Sequence, residues 1–199
     1  MSKPIIKKKI EEPRTVLKEY QMLEGNIVIP KLKYSFKIKK DVFSKYEPLV
    51  VNLYLNCIFS SLFGTTSDFF DEVYKNRLTT GYYYEHFYYD DYYILSIEAE
   101  SDKADLFKEV VDKTLKTIFL TEDDLERHKK MWIASEIRIS ERIDILVNSF
   151  IEDLVIYGKP FYNRIEIIKK LNMEELENII NLLDMSNNSF VLMIPKQNN

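Results

Sequence analysis

The chain is poor in the residues on which many catalytic motifs depend. Its 199 residues include one cysteine, two histidines and four glycines. A single cysteine, Cys57, excludes an internal disulfide framework and a zinc cluster built on thiolates. No G-x-x-x-x-G-K-[ST] or G-x-G-x-x-G phosphate-binding loop is present, and no G-x-S-x-G nucleophile turn. The sequence therefore lacks the common nucleotide-binding and serine-hydrolase signatures.

Long apolar runs are also absent. No run of about 18 apolar residues marks a membrane span. The first residues, MSKPIIKKKIEEPR, have no apolar core behind their lysines and so do not read as a secretory signal. We therefore expect no membrane partner and a cytoplasmic location. The 46 % share of apolar residues is sufficient for one domain with a substantial core.

Charge is distributed unevenly along the chain. Residues 1–45 carry 12 Lys and Arg against 5 Asp and Glu, a balance of +7; residues 46–199 carry 16 against 27, a balance of −11. A basic arm can bind nucleic acid, but this one is mostly lysine in a lead-in and along one strand, which favours a solvated linker and strand face. We expect no nucleic-acid partner. The alternative, an RNA-binding α+β domain, predicts RNA affinity that falls with salt.

The hydrophobic pattern predicts strands, helices, a hairpin, further helices and a last strand. Residues 31–38, KLKYSFKI, alternate between apolar and polar, the period of a half-buried antiparallel strand. The other predicted strands are 14–23, 26–29, 82–89, 92–99 and 189–194. The predicted helices are 44–61, 66–76, about 102–118, about 121–156 with a break near Asn148, and 172–183. Predicted helix caps are Ser44 with Glu47, Ser101 or Asp102, Thr121, and Asn172 with Glu175.

This order of elements indicates the α+β class. Hairpins beside clustered helices favour a mainly antiparallel sheet with helices packed on one face. Residues 1–13 are predicted to be a lead-in or linker, because Pro4 and Pro13 oppose helix formation there. Residues 14–199 are predicted to form a single α+β domain.

The two histidines are poorly spaced for a metal centre. His86 and His128 lie 42 positions apart, and no H-E-x-x-H or H-x-x-E-H motif exists. A catalytic zinc takes about three protein ligands, so we expect neither a metal site nor a catalytic residue in this chain. His86 is predicted to be an exposed or half-buried strand residue, and His128 a solvated helix residue. Cys57 is predicted to be a buried, inert thiol.

Eight aromatic residues crowd into positions 82–93. Core packing and cross-strand aromatic pairs account for part of this density. A functional interpretation is a wall or edge that holds an extended peptide by strand addition. Aromatic platforms also bind single-stranded nucleic acid, but Glu85, Asp90 and Asp91 put negative charge at this hairpin.

Three segments resemble the insulinase/pitrilysin class of zinc peptidases. They are SSLFGTTSDFFDEVYKNRLTTGYYYEHFYYDDYYILSIEAES, LTEDDLERHKKMW and YGKPFYNRIEIIKKLNMEELENIINLL. The first resembles the family's pattern of a helix, a small-residue turn, a second helix and two strands. The second resembles its Thr-Glu-Glu-Glu-Leu-Glu-Arg-x-Lys helix start, and the third its Gly-x-Pro segment. The resemblance covers roughly residues 14–195.

The resemblance implies a two-half architecture. In this family two homologous α+β halves face each other, and the first carries H-x-x-E-H and the zinc. This chain resembles the second half, which lacks that motif, as it occurs in processing-peptidase-like bacterial members. KKKIEEPR resembles the linker between the halves. The implied cofactor, zinc, is then expected only in a homologous N-terminal half or subunit, and the implied ligand is a peptide substrate.

The resemblance also implies candidate substrate-binding residues. Second halves of active members often present an Arg and, seven positions later, a Tyr to the substrate carbonyl, where such groups could stabilise an oxyanion. Matching Gly81-Tyr82 to the family's Gly-Tyr puts Lys75 at the Arg position, whereas matching the preceding helix puts Tyr74 there. Arg77 and Tyr84 are also seven apart. The candidates are Lys75, Arg77 and Tyr82; lysine in place of arginine would lose bidentate geometry.

These observations favour the non-catalytic C-terminal domain of an insulinase-like zinc peptidase, which would form the substrate-binding wall opposite a zinc-bearing half. The alternative is a catalytically inactive stand-alone scaffold or interaction module, because fold does not fix function. An H-x-x-E-H-bearing half in the same natural polypeptide, or in a co-purifying subunit, distinguishes the two.

Overall fold

The computed structural model describes residues 12–89 and 91–196. Its elements follow the chain in this order. Five strands are β1 (Tyr20–Gly25), β2 (Lys31–Lys39), β3 (Tyr82–Tyr89), β4 (Tyr92–Glu100) and β5 (Asn188–Pro195). Seven α-helices are α1 (Pro48–Phe63), α2 (Asp68–Lys75), α3 (Ala104–Lys116), α4 (Glu122–Ser140), α5 (Ile143–Tyr157), α6 (Arg164–Lys170) and α7 (Met173–Leu182). A 3₁₀ helix, Lys40–Phe43, follows β2. Most of the predicted lead-in, residues 1–11, lies outside the described residues.

The five strands form one sheet in the order β1-β5-β2-β4-β3. All neighbouring strands are antiparallel except β1 and β5, which are parallel. The strict alternation of β2 buries Leu32, Tyr34, Phe36 and Ile38 against the helices. Its lysines lie on the opposite face, where Lys31 and Lys33 pair with Glu100 and Glu98 of β4. The predicted α+β class and mainly antiparallel sheet, with helices on one face, are confirmed.

The prediction of two strands before β2 is wrong. A single strand, β1, replaces the predicted 14–23 and 26–29. A strand exists only where a partner backbone runs beside it, and β5 supplies that partner only from Phe190 to Pro195. Residues 26–29 cross over from β1 to β2, which leaves Val28 exposed.

Two predicted helix caps are also wrong. α1 begins at Pro48 after Glu47, whose side chain makes no capping bond; Ser44 belongs to the preceding turn. Pro48 can start the helix because a backbone N–H in the first turn has no acceptor within the helix, so its absence in proline costs no hydrogen bond. α3 begins after Lys103, while the Ser101 hydroxyl donates to the Leu78 carbonyl. By contrast, Thr121 and Asn172 cap α4 and α7 as predicted, each accepting a bond from a backbone N–H three residues on.

The predicted long helix at 121–156 is two helices. The chain turns at Glu141 and Arg142, between α4 and α5, and not near Asn148, which lies inside α5. No glycine or proline marks this turn. Contacts between distant positions hold the two helices side by side instead, because Arg164 at the start of α6 contacts Glu136 of α4 at 3.5 Å as well as the buried Asp153 of α5. The helix α6 was not predicted.

The helix α1 forms the centre of the core. Nine of its residues are buried, including Cys57 as predicted. Among the described residues one stretch, Pro48–Lys75, is long and apolar enough to cross a membrane by length and composition, with a mean hydropathy of 1.4 over its best 18 residues. The buried core helix of a folded domain meets the same criteria, and this stretch contains α1.

Candidate functional site

A large cleft lies along the edge of β3 that pairs with no other strand of the described residues. It has a volume of about 870 Å³. Five consecutive residues, 82–86, line it. Because neighbouring side chains of a strand point to opposite faces, consecutive residues can line one cleft only if the cleft lies along the edge of the strand. The second half of α1, the helix α2, the middle of α4 and the loops at 64–66 and 79–81 supply the remaining walls. Those residues include Asn56, Ser60, Phe63, Phe70, Tyr74, His128 and Met131.

The strand β3 has a partner on one side only. It pairs with β4, and no described strand pairs with its other side. The unpaired side of an edge strand presents alternate backbone N–H and C=O groups that can pair with an added chain. The aromatic residues of β3 therefore border both a cleft and a row of backbone hydrogen-bonding groups.

Packed aromatic rings lie behind the wall of the cleft, between the start of β3 and the helices. The Phe69 ring of α2 makes edge-to-face contacts with Phe63, Tyr82 and Phe107, with ring centroids 4.9, 5.1 and 5.7 Å away. The Tyr82 hydroxyl donates to the Phe63 carbonyl at 2.7 Å. Burial raises the pKa of Tyr82 to about 12, so its hydroxyl stays protonated at neutral pH. These contacts hold the start of β3 rigidly against α1 and α2.

A serine–histidine pair joins α1 to α4 beside the cleft. His128 Nδ1 lies 2.8 Å from the Asp124 carbonyl oxygen, and since that oxygen only accepts, Nδ1 carries a proton. His128 Nε2 lies 2.7 Å from Ser60 Oγ, which also contacts the Asn56 carbonyl. His128 is only 6 % exposed. The prediction of a solvated helix residue is therefore wrong, because its side chain points across to α1, whereas Lys130 on the same helix is exposed.

His86 lies half-buried at the other end of the cleft, as predicted. Its ring contacts Phe59, and Nε2 lies 3.2 Å from Asn52 Oδ1. Burial lowers the pKa of His86, because the charged imidazolium loses hydration there; the Asn52 contact opposes this shift.

We expect the stability of the domain to fall as the pH drops below about 6.5, partly because of His86. Below the ordinary histidine pKa of 6.5 the unfolded chain binds a proton that the folded chain takes up only at lower pH. The slope from one such proton is at most about 1.4 kcal/mol per pH unit. Urea unfolding from pH 8 to 5 should show a shallower decline for His86→Gln than for the wild type. Parallel curves for the two proteins would contradict this role.

The three predicted substrate-binding residues lie in different places. Tyr82 lines the main cleft, although its hydroxyl is bonded to Phe63. Arg77 has φ of 49° and lines a second cleft of about 590 Å³ beside Glu100 and Asp102. Lys75 is exposed at the end of α2 and is among the lining residues of neither cleft. Their role in binding stays a prediction.

Sequence reasoning missed several cleft residues. Asn56 and Ser60 are four apart on a predicted helix, a spacing that puts them on one helix face. Tyr74 was not missed in the same sense, because it is the alternative match to the family's Arg position; it lies on the exposed side of α2 and lines both clefts. Nothing in the local sequence of His128 indicated that it turns inward, and Met131 reaches the cleft through the same turn of α4.

No metal centre is visible in the part of the chain that the structure describes. Within residues 12–89 and 91–196, no three His, Cys, Asp or Glu side chains converge as metal ligands do. Cys57 is buried, and burial raises its thiol pKa to about 12, which disfavours the thiolate that binds metals. The described residues therefore offer no converging ligand set for a catalytic zinc.

The fold of the chain is that of M16-like peptidase domains, the class that the sequence resemblance predicts. A scan against protein-family models gives no match. A search of curated proteins gives none either. Similarity to solved structures extends over nearly the whole chain and shows this fold.

Three solved structures illustrate the similarity. An M16-like peptidase from Alicyclobacillus acidocaldarius aligns with a TM-score of 0.76 at 15 % identity, over 94 % of this chain and 46 % of the other. A protease from Helicobacter pylori aligns with a TM-score of 0.75 at 17 % identity, over 98 % of this chain and 48 % of the other. The M16 peptidase inactive domain from Pseudomonas fluorescens aligns with a TM-score of 0.70 at 18 % identity, over 96 % of this chain and 47 % of the other. The chain thus spans about half the length of these relatives.

Proposed function

We propose that this chain is the non-catalytic half of an insulinase-like zinc peptidase, and that it holds an extended peptide along the free edge of β3. A homologous half would carry the zinc and the water-activating residues. Similarity to an inactive peptidase domain supports the non-catalytic assignment. The absence of a converging ligand set in the described residues is in keeping with it.

The observation that carries the proposal is the position of the cleft. Five consecutive residues of β3, from Tyr82 to His86, line it along the edge that pairs with no other described strand. Backbone hydrogen bonds along such an edge give affinity for many extended peptides, and the neighbouring pockets select side chains. A peptidase wall requires this combination, because an extended backbone must be held before it is cut.

The exposed apolar surface of α5 supports the proposal that a partner covers this helix. Ile143, Val147, Ile151 and Val155 follow each other at four-residue spacing, and all are substantially exposed, Val155 by 79 %. An apolar helix stripe of this size is normally covered by another protein surface. The similar solved chains are about twice as long as this one. We propose that the zinc-bearing half covers the apolar stripe of α5.

Peptide binding to the isolated chain tests the proposal. An array of 12-residue peptides that tile β-casein, an unfolded protein, supplies generic extended ligands. We expect some of them to bind, with amide exchange slowed at alternate residues of β3 and unchanged at the residues already paired with β4. N-methylation of alternate peptide amides in the bound register should abolish binding. If no peptide binds at millimolar concentration, or if bound peptides leave the β3 amides unprotected, the proposal is wrong.

Metal content and cleavage test the non-catalytic assignment. The purified chain should contain no stoichiometric zinc by atomic absorption and should not hydrolyse β-casein. One equivalent of zinc that is lost in His86→Ala would overturn the assignment. The mass of the native gene product gives a further test. A polypeptide about twice this size would place both halves in one chain, and a product near 24 kDa would require a co-purifying zinc-bearing subunit.

A further inference from the structure

The strand β1 forms the second edge of the sheet, at the end away from the cleft. It pairs with β5 on one side, and no described strand pairs with its other side. Natural sheets commonly protect such an edge with lysine, proline or a bulge. The sequence of β1, YQMLEG, contains neither lysine nor proline, and its one charged residue is Glu24. The edge of β1 is therefore open to a further strand.

Apolar side chains are exposed on both faces of this edge. Tyr20 lies on the face that packs toward the core, because its ring stacks on that of the buried Phe190. Met22 follows on the same face, since side chains of a strand alternate. Tyr20 and Met22 are each 52 % exposed, and Leu23 on the opposite face is 38 % exposed. A strand added here would bury apolar surface on both of its sides.

The backbone hydrogen bonds of β1 alternate between its two edges. The carbonyl oxygens of Glu19 and Gly25 accept from backbone N–H groups in or just after β5, at 2.8 and 3.0 Å. The N–H and C=O groups of one strand residue point to the same side, and those of the next residue point to the other side. Odd-numbered residues therefore face β5. The N–H and C=O groups of Tyr20, Met22 and Glu24 face the open edge.

A second copy of β1 matches this edge in one antiparallel register. Antiparallel strands form their hydrogen-bonded pairs between residues whose N–H and C=O groups face each other, here the even-numbered ones. With Gln21 on a two-fold axis, Tyr20 pairs with Met22 of the second copy, and Lys18 pairs with its Glu24. Two-fold symmetry forms each of these pairs twice. The register thus brings together apolar side chains at the centre and opposite charges at both ends.

The charges select this register over its neighbours. Lys18 and Glu24 are exposed, and within the described part of the chain neither forms an ion pair. An axis through Tyr20 would set Lys18 against Met22. An axis through Met22 would set Glu24 against Tyr20. Both alternatives lose the two pairs of opposite charge, so only the register centred on Gln21 pairs every charge along the edge.

We propose that two copies of this chain join through β1 in this register, so that their two five-stranded sheets form one continuous sheet. The strand β3 of each copy then lies at a far end of the joined sheet, and both clefts stay accessible. The dimer is independent of the proposed peptide binding, because it uses no residue of the cleft.

Sedimentation equilibrium of the purified chain, up to millimolar concentration, tests the dimer. We expect a species of twice the 23.8 kDa chain mass that dissociates on dilution. Lys18→Glu sets two glutamates against each other at both ends of the contact, and Glu24→Lys sets two lysines there. Each variant should weaken the dimer about five- to twentyfold, because like charges directly opposite each other are destabilising. An equimolar mixture of the two variants should restore the affinity, since opposite charges then meet at both ends.

Amide exchange locates the contact. The N–H groups of Tyr20, Met22 and Glu24 should exchange more slowly in concentrated than in dilute wild-type protein. Those of Gln21 and Leu23, which already face β5, should exchange at the same rate in both samples.

A control on α5 separates this contact from the apolar stripe. Val147→Lys puts a charge into that stripe and should leave the dimer unchanged. A dimer that is weakened by Val147→Lys but not by Lys18→Glu would overturn the proposal. A chain that is monomeric at every concentration would do so as well, and so would a mixture of the two charge variants that associates no better than either alone. All three substituted residues are exposed, so the variants should fold, which amide spectra verify.

Discussion

Replacement of Asp153 by alanine is expected to lower the free energy of unfolding by about 3–5 kcal/mol. Asp153 is 1 % exposed and accepts hydrogen bonds from the Arg164 guanidinium and from the Phe161 backbone N–H, the latter at 3.0 Å. Removal of the carboxylate leaves a largely buried guanidinium with Glu136 alone, at 3.5 Å. It also leaves a buried N–H without its acceptor, which carries its own desolvation cost.

Asp144 offers a matched control on the same helix. It pairs with Arg142 at 2.8 Å, but both side chains are mostly exposed. Asp144→Ala should cost at most about 1 kcal/mol. Urea unfolding of the two variants measures the difference. Similar losses for both would contradict the inference that the Asp153–Arg164 contact fixes the turn between α5 and α6.

Replacement of Phe69 by alanine should have a comparable effect, about 3–5 kcal/mol, because a buried ring leaves a cavity that its neighbours cannot fill completely. Phe69 is 2 % exposed and contacts the rings of Phe63, Tyr82 and Phe107. Two of these three residues, Phe63 and Tyr82, line the cleft. We therefore also expect weaker binding of extended peptides under conditions in which the variant remains folded.

Phe119 serves as the control for this substitution, since its side chain is 78 % exposed. Phe119→Ala should change the free energy of unfolding by about 0.5 kcal/mol or less. Thermal or urea unfolding gives the stability, and calorimetry with a peptide from the β-casein array gives the affinity. A Phe69→Ala variant that is as stable as Phe119→Ala would show that the aromatic cluster does not support the wall.

The sequence predicted the candidate site in part. The crowded aromatic residues at 82–93 and the hairpin that contains them correspond to β3 and β4, and the cleft lies along this β3. The approach of α4 was not predictable, because Ser60 and His128 meet across 68 positions. A contact of this separation leaves no local pattern. The local sequence of His128, rich in charged residues, indicated the solvent-facing side of a helix.

The helix boundaries illustrate the same division. Thr121 and Asn172 were correctly predicted as caps because a cap is a contact within four residues, and its chemistry is readable in the sequence. The turn at Glu141–Arg142 carries no such marker. The contacts of Arg164 with Glu136 of α4 and with Asp153 of α5 hold the two helices together, and they join positions too far apart in the sequence to leave a local pattern.

By itself the sequence determined the α+β class, the period of β2, the lack of a catalytic metal motif and the resemblance to insulinase-like peptidases. These features depend on residue type and local spacing, which act over one or two turns of chain. Only the tertiary structure decided that β3 lies at the edge of the sheet formed by the described strands, and that β1 joins β5 in parallel. Strand order and charge pairing depend on contacts between distant segments, and those are set by how the whole core packs.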